Sequence, residues 1–380
     1  MTTNAITTRY FDYAGSAPPF PEALEAQAAV AARWFGNPSA LHGPGREARA
    51  ELNRLKAELA ALCGFTDGRV VLMSSATEAN NWVIQGVMSR CHGKRIAVAA
   101  DVHASVWSGA LRGGYHMDVV PVDARGRVTQ AAVANAIRSD TALLCCSHAA
   151  NETGVIHDAG GIAAFCERKN VLCLFDGAQA VGHLPVDLAQ IPCDFYTISA
   201  HKFGGPRGCG GVLLRSTECA AQMAGGNQEW GLRPGTEDLP ALAGAAEALR
   251  RSLALLPGEA TRLRSLTRCV VDALAGARIP FEINGDPETG LPGLLSVSFP
   301  GLDGHALAAD LSLRGYAVAT GSACHADQVT ASRVILALGR PPETALGTVR
   351  VSFGRLTRDV DAAAFARVLV EVVTGQRALR

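Results

Sequence analysis

Phe195-Tyr196-Thr197-Ile198-Ser199-Ala200-His201-Lys202-Phe203-Gly204-Gly205-Pro206 is a short β-rich run that stops on a small polar residue and opens into a glycine-rich turn. Similar runs, Val70 to Met73, Ile96 to Ala99, Asp118 to Val122, Ala142 to Ser147, Val171 to Phe175 and Val212 to Leu214, alternate with helix-compatible segments around it. That rhythm predicts crossover units and an α/β fold: a large domain built on a mostly parallel seven-stranded sheet covered on both faces. Upstream, Ala48, Leu52, Leu55, Leu59 and Leu62 recur at helical spacing between charged positions, an amphipathic helix for one face of that sheet. Downstream, a long Ala/Leu helix from about Pro240 is predicted to break at Pro257-Gly258. Helices then alternate with strands at Leu295 to Phe299, Ala317 to Ala319 and Thr348 to Phe353, which reads as a smaller α+β C-terminal domain. The expected division is residues 15–256 and 257–380, with the N-terminal segment 1–14 joining the smaller part.

A chain of 380 residues exceeds the size at which one core usually stops growing, so two domains are expected. Basic and acidic residues balance at 35 each, with no Lys/Arg block, which argues against a nucleic-acid partner and for a small ligand. Met1 to Tyr10 lacks the apolar core of a signal peptide, and no apolar run approaches the roughly 18 residues of a membrane span; the default expectation is cytoplasmic, with no membrane partner. Eleven cysteines are scattered without any C-x-x-C, so neither metal nor a disulfide framework is expected. Most read as small buried hydrophobes.

Lysine is the discriminating count. Only four occur, at 56, 94, 169 and 202, and only Lys202 follows the carboxyl end of a predicted strand, where open α/β sheets bind ligands. An amine there can shed its proton and form a Schiff base, which Arg cannot. Lys56 reads as one charge among others on the amphipathic helix; a surface-turn role for Lys202 leaves its Ser, His and Gly neighbours unexplained. One crossover earlier, Val171-Leu172-Cys173-Leu174-Phe175 ends in Asp176, followed by Gly177-Ala178-Gln179. A carboxylate at a strand end is often a helix cap. Paired with a strand-end lysine, it also suits the pyridine nitrogen of pyridoxal 5'-phosphate (PLP), keeping the ring an electron sink.

Other strand ends add polar groups. Ser74-Ser75-Ala76-Thr77-Glu78 opens a helix, whose start either is simply capped or also seats a phosphate. His103 follows the Ile96 to Ala99 strand and can stack over a ring; Asn151 follows the Ala142 to Ser147 strand; either can equally be a loop hydrogen-bonder. In the smaller domain, Thr320-Gly321-Ser322-Ala323-Cys324-His325 puts a thiol in a glycine-rich loop, either a nucleophile or a tolerated surface cysteine. Arg350, in Thr348-Val349-Arg350-Val351-Ser352-Phe353, points away from the core-facing Val349, Val351 and Phe353, to hold a carboxylate or a surface ion pair. A Rossmann dehydrogenase is disfavoured, because Gly205, Gly208 and Gly210 do not follow G-x-G-x-x-G.

Nearly the whole chain, from Tyr10 to about Arg358, resembles the cysteine desulfurases of the class V aminotransferase group, PLP enzymes of fold type I. The segments that carry the resemblance are Tyr10-Phe11-Asp12, Gly36-Asn37-Pro38-Ser39 with His42, Ser75-Ala76-Thr77-Glu78, Val102-His103, Asn151-Glu152-Thr153-Gly154-Val155, Asp176-Gly177-Ala178-Gln179, Ser199-Ala200-His201-Lys202, Arg233-Pro234-Gly235-Thr236, Gly321-Ser322-Ala323-Cys324 and Val349-Arg350-Val351-Ser352. The resemblance implies a PLP Schiff base on Lys202, Asp176 as the pyridinium partner, Gln179 as donor to the ring hydroxyl, and His103 as stacking group and acid or base. It implies a phosphate seat from Ala76, Thr77, Ser199 and His201, joined by Thr236 of a neighbouring subunit, hence a homodimer with shared sites. Arg350, Asn151 and Asn37 would hold the substrate carboxylate, and Cys324 would take sulfur from L-cysteine as a persulfide for an acceptor protein, leaving alanine.

The sequence departs from the family pattern at Tyr13-Ala14-Gly15-Ser16-Ala17, at Ser74-Ser75, at Pro234 and at His325-Ala326-Asp327 after the thiol. A C–S lyase, a cysteine-sulfinate desulfinase and a selenocysteine lyase share the same cofactor steps and stay open as alternatives. So does a catalytically idle subunit of this fold that only binds a partner, against which the intact Lys202, Asp176 and His103 argue.

Overall fold

The computed structural model describes residues 9–91, 95–320 and 330–379. Its large sheet holds β1 (Arg69–Met73), β2 (Arg95–Ala99), β3 (His116–Val120), β4 (Thr141–Ser147), β5 (Leu172–Asp176), β6 (Phe195–Ser199) and β7 (Gly210–Leu214) in the order β1-β7-β6-β5-β4-β2-β3. Only β7 runs against its neighbours, pairing antiparallel with both β1 and β6. The central strands β4, β5, β6 and β7 are buried almost throughout, which is why they read as continuous apolar runs and not as an alternation.

Helices α1 (Pro21–Arg33), α2 (Gly43–Leu62), α3 (Ala76–Met88), α4 (Ala104–Arg112), α5 (Gln130–Ala136) and α6 (Ala159–Arg168) belong to the part of the chain that builds this sheet. The face of α2 expected from the sequence is buried as Ala48, Leu52, Leu55 and Leu59. α3 packs against β6, β7, β4 and β5 with Ala79, Val83, Ile84 and Val87 buried. Its start approaches β7 so closely that a Cβ on Gly210 would stand 2.8 Å from the main chain of Ser75.

The helix expected to end at Pro257-Gly258 does not end there: α7 runs from Leu239 to Gly276 with Pro257 inside it. Proline lacks one N–H and crowds the carbonyl four residues back, which weakens a helix without necessarily ending it when both flanks are packed. Here Leu242, Ala246 and Leu249 belong to the core of the large sheet, and Leu263, Leu266, Val270 and Leu274 to a second core.

That second core lies under a four-stranded sheet in the order β10-β11-β9-β8, from β8 (Glu282–Ile283), β9 (Leu294–Ser298), β10 (Ala319–Thr320) and β11 (Thr348–Ser352). The strand expected at Ala317 to Ala319 is therefore shorter and shifted. Helices α8 (Gly304–Leu313), α9 (Arg333–Ala337), α10 (Pro342–Leu346) and α11 (Asp359–Ala378) complete it. The N-terminal segment joins this sheet through bridges of Tyr10 to Ala317 and Asp12 to Ser352, and Phe11 is fully buried among Tyr316, Phe353 and Phe365. No described helix is long and apolar enough to cross a membrane, and no metal-binding cluster occurs among the described residues.

Candidate active site

The carboxyl ends of β1, β2, β4, β5 and β6 converge on one cavity of about 340 Å³. Ala76 and Thr77, His103, Asn151, Asp176, Gln179, Ser199, His201 and Lys202 all line it. Residues chosen at separate strand ends thus meet in one place, because parallel strands deliver their carboxyl ends to the same edge of the sheet.

Asp176 ends β5 and is buried. Its two oxygens are held separately: Oδ1 accepts from the Ala178 N–H (3.0 Å) and Oδ2 from Nδ2 of Asn80 (2.8 Å). Asn80, fully buried on α3, also accepts at Oδ1 from the Thr197 hydroxyl (2.8 Å) and donates to Ser105 Oγ (3.0 Å). Ser105 Oγ lies 2.8 Å from Nδ1 of His103, and the Ser105 N–H donates to the same nitrogen (3.1 Å). Nδ1 is therefore an acceptor, so the proton of a neutral His103 sits on Nε2. Burial lowers the pKa of this imidazole; Asp176 opposes that shift, and Lys202, Arg333 and Arg350 reinforce it. A neutral, oriented ring beside a fixed carboxylate is the outcome.

Lys202 ends the short 3-10 turn Ala200–Lys202 after β6. Its Nζ donates to the carbonyls of Ala14 (2.6 Å) and Gly15 (3.0 Å). Gln179 Nε2 donates to the same Ala14 carbonyl (2.8 Å), so one of its two amide hydrogens is already engaged. His201 Nδ1 lies 3.2 Å from Ser16 Oγ, and burial, with Lys202 and Arg207 nearby, brings its pKa down to about 4. At α3, Ser75 accepts from the Glu78 N–H and Glu78 accepts from the Ser74 N–H, a variant of the capping box. The ordinary cap is present, and Ala76 and Thr77 line the cavity just past it, so the start of α3 faces this cavity.

Arg350, on β11, approaches the cavity through Asn151, which lines it, but is not itself a lining residue. It is buried, donating from Nη1 to the Asn151 carbonyl (2.9 Å) and from Nη2 to Asp12 Oδ1 (2.6 Å). Asp12 is thus the carboxylate that balances this guanidinium in the described molecule. Beside it, Glu152 accepts from Ser332 Oγ (2.5 Å) and burial raises its pKa to about 7, against the pull of Ser332, Arg350 and Arg333. Arg333 stacks 4.0 Å over the Trp107 ring and donates to the carbonyls of Ala100 and Val102, next to His103.

Two more expected residues stand away from this cavity. Asn37 is exposed and spends Oδ1 on the Ser39 N–H (2.8 Å), while Thr236 is exposed and lines a separate depression with Ser74, Glu229 and Arg233. Cys324 lies outside the described residues. Of the ten described cysteines eight are buried, and burial raises thiols such as Cys63, Cys193 and Cys209 to about 12, which removes them as nucleophiles.

Sequence reasoning missed Asn80, Ser105, Thr197, Asp12 and the Ala14 carbonyl. Asn80 is the one polar residue among those that α3 buries, such as Ala79, Trp82, Val83 and Ile84, but the adjacent Asn81 and the later Gln85 leave it without a distinguishing signal in the sequence. A main-chain acceptor has no signal of residue type at all.

These residues fit pyridoxal phosphate. A carboxylate fixed by two donors suits a pyridinium, an amine and a neutral imidazole share its cavity, and a helix start with Thr77, Ser199 and His201 suits a dianion.

The profile of the class-V aminotransferases matches residues 9–365. The cysteine desulfurase IscS 1 of Archaeoglobus fulgidus is 32% identical over 376 residues, 97% of this chain and 98% of that protein. The cysteine desulfurase IscS of Aeromonas hydrophila is 33% identical over 361 residues, 92% of this chain and 89% of that protein. Among solved structures, a NifS-like protein superposes with a TM-score of 0.88 at 28% identity, covering 96% of this chain and 99% of its own. SspA in complex with cysteine gives a TM-score of 0.79 at 27% identity over 91% of this chain and 98% of its own.

Proposed function

Because the chain belongs to the class-V aminotransferase family, we propose that it is a PLP-dependent cysteine desulfurase that converts L-cysteine to L-alanine and carries the released sulfur on Cys324. The observation that carries this reading is the meeting of Lys202, Asp176 and His103 with the α3 start in one cavity. Pyridoxal phosphate, when bound, supplies an electron sink that makes the bonds at the substrate's α-carbon labile.

The chain's own residues supply the rest. Asp176, held at both oxygens by Asn80 and Ala178, keeps its charge in one place against a pyridinium. Thr77, Ser199 and His201, with the first amides of α3, would hold the phosphate, and Gln179 retains one amide hydrogen for the ring hydroxyl. Nζ of Lys202 moves a proton at the α-carbon. His103, kept neutral by burial, can accept a proton from a reacting group, and its ring is oriented by Ser105. Arg350 and Asn151 bind the substrate carboxylate.

Cys324, as thiolate, attacks the substrate sulfur: an S–S bond forms, the Cβ–S bond breaks, and carbon keeps the electron pair and takes a proton. Cysteine plus enzyme thiol therefore gives alanine plus enzyme persulfide, with no external oxidant. The persulfide then passes to an acceptor protein. The assembly is a homodimer in which Thr236 of one copy completes the phosphate seat of the other, consistent with its exposure away from its own cavity.

Incubation with L-cysteine, with and without dithiothreitol, tests this reading. Alanine and sulfide should form in equal amounts with reductant, and a mass spectrum should show one added sulfur on the Cys324 peptide. Cys324→Ala should lower alanine formation at least a hundredfold; unchanged alanine formation would move the assignment to a C–S lyase or a desulfinase.

A further inference from the structure

Between β7 and α7 the backbone makes a turn that L-residues avoid. Glu229 (φ 50°, ψ 41°), Trp230 (φ 60°, ψ 30°) and Gly231 (φ 76°) lie consecutively in the left-handed region. Isolated left-handed residues are usually Gly or Asn, and a run containing Glu and Trp persists only where the surroundings over-determine it.

Those surroundings are unusual. Glu229 is buried, and its Oε1 lies 2.5 Å from Nζ of Lys56, itself buried on α2. Two cations approach the Trp230 ring, Lys56 Nζ at 5.0 Å and the Arg69 guanidinium at 5.1 Å from its centroid. A buried ion pair is a poor way to gain stability, because desolvating both charges offsets their attraction; its best-attested use is to fix one conformation.

The conformation fixed here belongs to an arm. Immediately after the turn, the Leu232 carbonyl accepts from Trp82 Nε1 (3.0 Å), Arg233 Nε donates to Glu78 (3.1 Å) in the first turn of α3, and Gln228 Oε1 accepts from the Gly235 N–H (3.2 Å). The exposed residue presented at the end of these ties is Thr236.

We infer that Lys56 and Glu229 are positioning residues of the active site: their buried ion pair locks the left-handed turn at residues 229–231 and so holds Thr236 in the pose with which it completes the phosphate seat of a second copy. This rests on the shared-site reading above.

The test measures pyridoxal phosphate affinity of the apo-dimer by absorbance titration, with sedimentation to confirm that each variant stays dimeric. Lys56→Met should weaken binding about tenfold or more, Lys56→Arg should stay within about threefold of the parent, and Lys56→Met combined with Thr236→Ala should be no weaker than Thr236→Ala alone. Glu229→Gln, isosteric and uncharged, should weaken binding at least threefold and serves if Lys56→Met does not fold. Because the arm acts in trans, mixing Lys56→Met chains with Lys202→Ala chains should restore one tight, lysine-linked site per mixed dimer; a purely local folding defect would not be rescued. Unchanged affinity in Thr236→Ala would sink the shared site itself. Weakened Thr236→Ala beside unchanged Lys56→Met and Glu229→Gln, or no rescue on mixing, would overturn the inference about the ion pair.

Discussion

Glu152 shows how one half-buried side chain can work against the molecule it belongs to. Its carboxyl is raised by burial from the ordinary 4.5 to about 7, so the folded chain holds this proton more tightly than the unfolded one. Its contribution to stability is then fully present below pH 4.5 and lost as pH rises through 7. Glu152→Gln keeps an acceptor for Ser332 and removes the ionisation. Comparing denaturant midpoints, the variant should gain about 1–3 kcal/mol on the parent between pH 5 and pH 8; a constant difference would show that Glu152 titrates normally. At this scale the sequence was legible where chemistry and position coincide, as for Lys202 and Asp176. It was not legible for Asp12, whose role depends on a bridge between residues 12 and 352 that only the folded chain makes, nor for Lys56, which reads as a solvated charge until Glu229 is seen beside it.

Among the elements, β7 and α3 depend most visibly on a missing side chain. Gly210 and Gly211 start the one antiparallel strand of the large sheet, and the approach of Gly210 to Ser75 puts the α3 start against the sheet. Gly210→Ala sets a methyl against main chain that cannot yield cheaply, so we expect a loss of about 1–3 kcal/mol in unfolding free energy. Cofactor affinity should fall too, because the displaced element carries Thr77; a variant as stable as the parent would show that the contact relaxes. The strands of the large sheet were readable to within a residue or two because each is a largely apolar run bounded by polar or glycine punctuation, whereas the two-residue β8 gave no such run. β7 itself was found from Val212 on, since the two glycines that open it carry no strand signal.

For the whole molecule, α7 is the member common to both cores, and Pro257 sits at the changeover between them. Sequence reasoning placed a break there because proline and glycine are punctuation in an isolated chain. Packing on both sides overrides it, as tertiary contacts routinely override local propensity. Leu253 keeps a carbonyl without its usual helical donor, because Pro257 has no N–H to offer. Pro257→Ala should therefore raise the melting temperature, by about 1–3 °C for a gain of roughly 1–2 kcal/mol, checked by calorimetry on the intact chain. A fall instead would mean that the proline is needed for the relative placement of the two cores.

The carbonyl of Ala14, on which both Lys202 and Gln179 rest, belongs to a segment whose other anchor is the four-stranded sheet. The Lys202 amine is thereby tethered to a stretch of chain made 188 positions earlier in synthesis. Cleavage that released the segment carrying Ala14 would take this acceptor from Lys202 and Gln179 together without altering either side chain.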